Sequence, residues 1–163
     1  MKGDVIIGLQ YGDEGKGKIL VAMIQKNKYD YCIRFNGGPN AGHSIYKDRI
    51  KYITHQIPSG IVYGLKCIIG PNCVVDINKL EKEISELESL GIKNVRTNLL
   101  ISYNAHIIDL KHIEYDTKSN MIGTTGSGIG PTYSDKALRT GQRINNVKRN
   151  NKICGCKVID CYE

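Results

Sequence analysis

Residues 8–18 read Gly8-Leu9-Gln10-Tyr11-Gly12-Asp13-Glu14-Gly15-Lys16-Gly17-Lys18, directly after the apolar run Val5-Ile6-Ile7. The order is a short apolar segment, a glycine-lysine loop, and then Ile19, Leu20, Met23 and Ile24 at helical spacing. This predicts a strand over Asp4–Leu9, a tight turn, and a helix over Gly17–Asn27. Gly12, Gly15 and Gly17 let the backbone bring its N–H groups close to an anion, and Lys16, Lys18 and a helix N-terminus add positive charge. Such a loop suits phosphate. It does not satisfy G-x-x-x-x-G-K-[ST], because Ile19 stands where a magnesium-binding hydroxyl would be. It also holds two acids, Asp13 and Glu14, where a carboxylate would repel phosphate. That points to a bound metal, a proton transfer, or both; a flexible surface loop is the bland alternative.

Downstream, apolar runs alternate with amphipathic ones, which predicts an α/β fold: a mostly parallel central sheet with flanking helices and a phosphate-binding loop after the first strand. Strands are expected at Tyr31–Phe35, read as buried, and at Lys66–Ile69 and Leu99–Ser102, with a hairpin of Ser44–Tyr46 and Lys51–Thr54 turning at Lys47-Asp48-Arg49. The clearest helix is Ile77–Leu90. Ile77, Leu80, Ile84, Leu87 and Leu90 form its apolar stripe, Glu81, Lys82, Glu83, Glu86 and Glu88 are expected outside, Asp76 caps its start and Gly91 ends it. Residues 121–132 read as a glycine-threonine loop and 133–140 as the start of a helix. Residues 1–145 form the expected nucleotide-binding domain, and 146–163 a basic, cysteine-containing tail with no structure assigned.

The chain has 163 residues, 40% hydrophobic and 24% charged, with a net charge of +7. That is ordinary for a globular domain with a real core, and no apolar run approaches the ~20 residues of a membrane span. No leader is evident at the N-terminus, so the cytoplasm is the default expectation. Residues 136–157 carry seven basic side chains and no acid, a patch able to hold phosphorylated small molecules or to remain solvated. A nucleic-acid role is the weaker reading, since the chain has no Trp and a single Phe. Cys32, Cys67 and Cys73 read as free thiols in or beside apolar stretches. Cys154, Cys156 and Cys161 lack the paired spacing of a structural zinc site, and disulfides are not expected.

Two further glycine-rich loops share the character of the first. Asn36-Gly37-Gly38-Pro39-Asn40-Ala41-Gly42-His43 follows a strand, as ligand-binding loops of α/β sheets do. Asn40 can both donate and accept at a base edge, and His43 is a candidate general acid. Ile122-Gly123-Thr124-Thr125-Gly126-Ser127-Gly128-Ile129-Gly130-Pro131 offers amide and hydroxyl donors, followed by Tyr133, Asp135, Lys136 and Arg139. Arg139 suits bidentate phosphate recognition. Together they imply a phosphoryl-transfer or nucleotide-binding enzyme.

In order, these loops resemble the adenylosuccinate synthetase family. Tyr11–Lys18 matches its W-G-D-E-G-K-G-K, Gly37–Ser44 its G-G-x-N-A-G-H-T, Gly123–Lys136 its G-T-T-x-x-G-I-G-P-x-Y-x-D-K, and His55–Gly60 its H-x-I-P-S-G. The resemblance covers about residues 3–143. It implies GTP-dependent ligation of IMP and L-aspartate through a 6-phosphoryl-IMP intermediate, with Mg²⁺. On that resemblance, Asp13 takes the purine N1 proton, His43 is the acid partner and Lys16 stabilises the transferring phosphoryl group. GTP is held by Gly12, Asp13, Glu14, Gly15, Lys16, Gly17, Lys18, Gly42, His43 and Ser44. IMP is held by Asp13, Glu14, Gly15, Lys16, Asn40, Ala41, Gly42, His43 and Thr125. The metal is held by Asp13 and the Gly42 carbonyl. Arg139 corresponds to an arginine that reaches a partner subunit's IMP, implying a homodimer. Tyr11 stands in place of the family's Trp, and Ser127 where many members carry Arg. A phage branch that uses dGMP lacks the acid at the position of Asp13, so its presence favours IMP. The family's guanine-reading N/T-K-x-D and aspartate-binding V-x-T-G-R motifs are not found here. The alternative is therefore a non-catalytic nucleotide-binding remnant or one half of a split enzyme.

Overall fold

A computed structural model describes residues 3–10, 14–118 and 124–161. Their element order is α1 (Lys16–Lys26), β1 (Tyr31–Gly37), β2 (His43–Lys47), β3 (Ile50–Thr54), a 3₁₀ turn (Ser59–Tyr63), β4 (Lys66–Val75), α2 (Ile77–Ser89), α3 (Val95–Asn98), β5 (Leu99–Ser102), β6 (His106–Ile107), α4 (Leu110–Lys118), α5 (Ile129–Leu138), α6 (Ile144–Val147), β7 (Lys152–Ile153) and β8 (Cys156–Ile159). The main sheet runs β1-β4-β5-β8-β7, with β6 also paired to β4. Every pairing in it is parallel except β7 with β8, while β2 and β3 form a separate antiparallel hairpin. This is the expected α/β architecture.

Local chemistry accounts for the best-defined elements. The Asp76 carboxylate accepts from the Lys79 N–H at 3.0 Å and starts α2. At its other end Gly91 takes φ 87°, and the Ile92 N–H returns to the Leu87 carbonyl at 3.0 Å. Leu80, Ile84 and Leu87 are buried from α2. They meet Val75, Leu99, Ile101 and Val158 in the core. In the β2–β3 hairpin Asp48 and Arg49 both adopt left-handed backbone, φ 52° and 66°, the geometry of a two-residue turn whose twist matches its strands.

Five expectations are corrected. Residues 4–9 have no ladder partner and form no strand, with Val5 74% and Leu9 88% exposed. An apolar segment becomes a sheet strand only when neighbours satisfy its backbone and cover its faces. Consequently the glycine-lysine loop does not follow a strand. In α1 none of the residues is fully buried; Ile19 is half exposed, and Val21 is the side chain resting on the core. β1 is an edge strand whose Tyr31, Ile33 and Phe35 side chains are exposed, not a buried one. Glu83 points inward, and Leu90, expected in the stripe, is exposed. The segment after 145 is built into the sheet: β8 pairs with β5, and Ile153, Cys156 and Val158 are core residues. Two boundaries also shift. β4 extends to Val75, and α5 begins at Ile129 rather than 133.

Candidate active site

The first loop enters α1 through Gly15, which caps the helix in left-handed conformation at φ 73° and has no side-chain cap. Its carbonyl accepts the N–H groups of Lys18 and Ile19, at 2.9 and 3.1 Å. The first turn itself holds no acid; the carboxylate at this helix end is that of Glu14, just before it. Glu14 folds over this turn, pairing with the Lys16 ammonium and accepting the Gln10 N–H at 2.7 Å. The Lys16 contact, reinforced by the Gln10 N–H, holds the Glu14 carboxyl below its ordinary range. Gly8 lies against this pair, since a Cβ there would fall 2.7 Å from the Lys16 ammonium. Tyr11, Gly12 and Asp13, including the expected base and metal ligand, lie outside the described residues.

The second loop is set beside the first. A Cβ on Gly17 would lie 3.6 Å from the His43 Cβ and 3.9 Å from the Ser44 carbonyl. The first turn of α1 therefore abuts the start of β2. Arg34, from β1, binds the loop from beneath: its guanidinium donates to the carbonyls of Asn36 at 3.1 Å, Gly38 at 2.7 Å, and His55. His55 Nδ1 is 2.8 Å from the Ala41 carbonyl. The 55–57 backbone is held in turn by Glu83, whose carboxylate accepts the N–H groups of His55, Gln56 and Ile57 at 2.7, 2.9 and 3.1 Å. Burial raises the Glu83 pKa, against the lowering effect of those three donors. His43 is half-buried, and its pKa is lowered by burial first, then by the charges of Arg34, Lys16 and His55. In the free protein its imidazole is therefore neutral near pH 7.

The third loop meets the second through Gly38, whose Cβ would fall 2.4 Å from Ile129 Cδ1 and 2.7 Å from Val74 Cγ2. Tyr133 adds a second tie: its hydroxyl accepts the Gly37 N–H at 2.9 Å and donates to the Asn72 carbonyl at 2.8 Å. Asp116 shapes the loop itself, accepting the Thr124 hydroxyl at 2.5 Å and the Gly128 N–H at 2.8 Å. Thr125 donates to the Ser127 hydroxyl at 3.1 Å. Met121, Ile122 and Gly123 lie outside the described residues.

The structure thus gathers Lys16, Gly17, Gly42, His43 and Ser44 along one seam, with Asn40 and Ala41 next to it. Arg139 is not brought there. It caps the C-terminus of α5, exposed and left-handed at φ 62°, about 15 Å along that helix from the Gly128 end. Sequence reasoning missed Arg34, Glu83 and Asp116, and named Tyr133 without its role. Two signals were available: a lone charge inside the apolar run Tyr31–Phe35, and an acid at helical spacing between Leu80 and Leu87.

Among the described residues, no cluster of three or more His, Cys, Asp or Glu side chains could hold a metal. Mg²⁺ commonly takes only one or two protein oxygens and completes its shell with phosphates and water. Gly42, beside His43, is an exposed residue. No helix among the described residues is long and apolar enough to cross a membrane.

The adenylosuccinate synthetase family model matches residues 5–158. The chain belongs to the adenylosuccinate synthetase family. It is 48% identical over 144 residues to the adenylosuccinate synthetase of Borrelia turicatae, covering 85% of this chain and 33% of that protein. To that of Syntrophobacter fumaroxidans it is 46% identical, covering 97% of this chain and 38% of the relative. Among solved structures, fully ligated adenylosuccinate synthetase from Plasmodium falciparum superposes with a TM-score of 0.74 at 38% identity, over 87% of this chain and 34% of that one. The succinoaminodeoxyadenylate synthetase of cyanophage S-2L, solved with dGMP and dATP, gives 0.73 at 25% identity, over 93% of this chain and 43% of its own. The chain spans about a third of the length of the curated relatives it matches.

Proposed function

We propose that this chain carries the phosphoryl-transfer part of an adenylosuccinate synthetase, the enzyme that ligates IMP and L-aspartate at the expense of GTP. The observation that supports this most is the abutment of the α1 first turn and the His43 strand at Gly17. It sets the first turn of α1, which carries Lys16, against the strand that begins at His43. The amides and Lys16 bind the transferring phosphoryl group as charge develops on it. Asp13 withdraws the N1 proton, which makes the purine 6-oxygen nucleophilic. His43, neutral in the free protein, donates its N–H to that oxygen. An arriving phosphate dianion offsets Arg34 and Lys16, and the imidazole then gains its second proton. Mg²⁺, held by Asp13 and the Gly42 carbonyl, would neutralise phosphate charge. Asn40 and Thr125 face the IMP, Arg139 reaches the IMP of a second subunit in a homodimer, and L-aspartate displaces the phosphate.

One observation favours a second reading, half of a split enzyme or a binding remnant. Among the described residues no strand pairs with the outer edge of β1, where Tyr31, Ile33 and Phe35 are exposed. Calorimetric titration with IMP and with GTP, followed by a product assay with aspartate and Mg²⁺, decides between them. Product formed by the chain alone establishes the first reading. IMP binding without product, with turnover restored by a separately expressed remainder of the Borrelia turicatae protein, establishes the second. Failure to bind either nucleotide refutes both.

A further inference from the structure

β1 and β4 pair in parallel with Cys32 directly opposite Cys67. Neighbouring strands lie about 4.8 Å apart, and residues in register send their side chains to the same face. That separation falls within the range a disulfide bridges, about 4.4–6.8 Å between Cα atoms. Cys67 is fully buried, while Cys32, on the edge strand, is only partly covered. Gly60 presses on Cys32: a Cβ there would be 2.5 Å from the Cys32 Cβ and 3.1 Å from its sulfur. Having no side chain, Gly60 brings its own N–H to that sulfur. The neighbouring Cys67 thiol is the larger influence on the Cys32 sulfur and the Gly60 N–H the smaller. Against the opposing effect of burial they bring the Cys32 pKa down to about 7. Three other thiols go the opposite way, Cys73 pushed up to about 11 and Cys154 and Cys156 to about 12, each mainly by burial. Cys67 Sγ also lies 3.4 Å from the Pro58 carbonyl, which keeps it a thiol beside its partner.

We propose that Cys32 and Cys67 are a redox-sensitive pair, in which hydrogen peroxide oxidises Cys32 and Cys67 then closes a disulfide onto it. The Cys32 thiolate attacks one peroxide oxygen. The S–O bond forms as the O–O bond breaks, and the departing hydroxide takes a proton to become water. Cys67 gives up its proton as its sulfur attacks the Cys32 sulfenic acid. The S–S bond forms as the S–O bond breaks, and the hydroxide that leaves takes that proton as a second water. Two thiols lose two electrons, and one peroxide becomes two waters. The bond would tie the open edge strand covalently to the strand beside it.

The test treats the reduced chain with stoichiometric hydrogen peroxide, labels the remaining thiols after denaturation, and maps the peptides by mass. The expected result is a single cross-linked peptide pair joining Cys32 to Cys67, with Cys73, Cys154, Cys156 and Cys161 still labelled and Cys32 lost at least about fivefold faster than Cys73. In Cys67→Ala the reaction stops at a Cys32 sulfenic acid that dimedone traps, and in Cys32→Ser no cross-link forms. The proposal is overturned if other cysteines react first, if Cys32 runs on to sulfinic acid with Cys67 untouched, or if no cysteine reacts. The wild-type map decides the matter even if a variant fails to fold.

Discussion

Glu83→Gln removes one charge from the support beneath the His43 loop while keeping the shape of the side chain. In the native chain Oε1 accepts the His55 and Ile57 N–H groups and Oε2 accepts that of Gln56. Glutamine can keep the pair on its single oxygen, but its NH₂ then faces the Gln56 N–H, donor against donor. Losing one charge-assisted bond costs about 1.5–3 kcal/mol, and the stranded donor adds to it. Relief of the burial that raises the Glu83 pKa returns part. The net expectation is a loss of about 2 kcal/mol, or roughly 4–8 °C in Tm for a domain of this size. Glu83→Ala, leaving three donors unmet, should lose about 3–5 kcal/mol. Urea unfolding followed by far-ultraviolet circular dichroism measures both, and amide exchange at residues 55–57 should accelerate in step. The pH dependence provides a second check. Between 4.5, the ordinary value for Glu83, and its higher folded value, the native state binds more protons than the unfolded one. Glu83 therefore makes stability fall as pH rises through that window, and the Gln variant lacks this contribution. A Gln variant within about 0.5 kcal/mol of wild type, with unchanged exchange at 55–57, would refute the role given to Glu83.

Gly38→Ala drives a methyl into Ile129 and Val74, so it should cost about 1–3 kcal/mol, partly regained by Ile129→Val; equal melting temperatures for the single variant and wild type would contradict that contact. Asp135 is held down to about 2 by Lys111 first and then His112. Its contribution is complete above 3.8 and is lost as pH falls from there toward about 2, so Asp135→Asn should unfold less steeply than wild type across that window. His43, in isotope-edited NMR, should titrate below 6.5 in the free chain and shift upward when IMP or inorganic phosphate is added; a titration indifferent to both would remove it from the phosphate site. Lys16→Met should weaken nucleotide binding by about tenfold or more, and unchanged calorimetric affinity would exclude Lys16 from the site.

Local grammar was readable and long-range pairing was not. Asp76 and Gly91 bracket α2 with chemistry that acts within a few residues, and Asp48-Arg49 needs only its own two strands. Val5-Ile6-Ile7 reads as strand by composition, but a strand is a relation between segments, and here no described strand pairs with it. The reverse holds for Lys152–Ile159. Its polar, turn-rich approach suggests disorder, yet the short apolar alternation Ile153, Cys156, Val158 finds β5. Site residues carried by the glycine loops were visible because glycine spacing is itself the signal. Arg34 and Glu83 were not, because their partners are backbone groups 2 to 28 residues away that no side-chain pattern announces.

The open edge of β1 has a consequence for handling the protein. Among the described residues no strand takes up its outer ladder groups, which can template another strand, and Tyr31, Ile33 and Phe35 make the exposed face sticky. Natural sheets guard such edges with charge, proline or a bulge. The guards near β1 are a register shift between Arg34 and Asn36 and the proline at 39, both at its far end. At high concentration, strand-to-strand self-assembly of the isolated chain therefore competes with solubility. A lysine at position 33 is the change that should keep it dispersed without touching the loops.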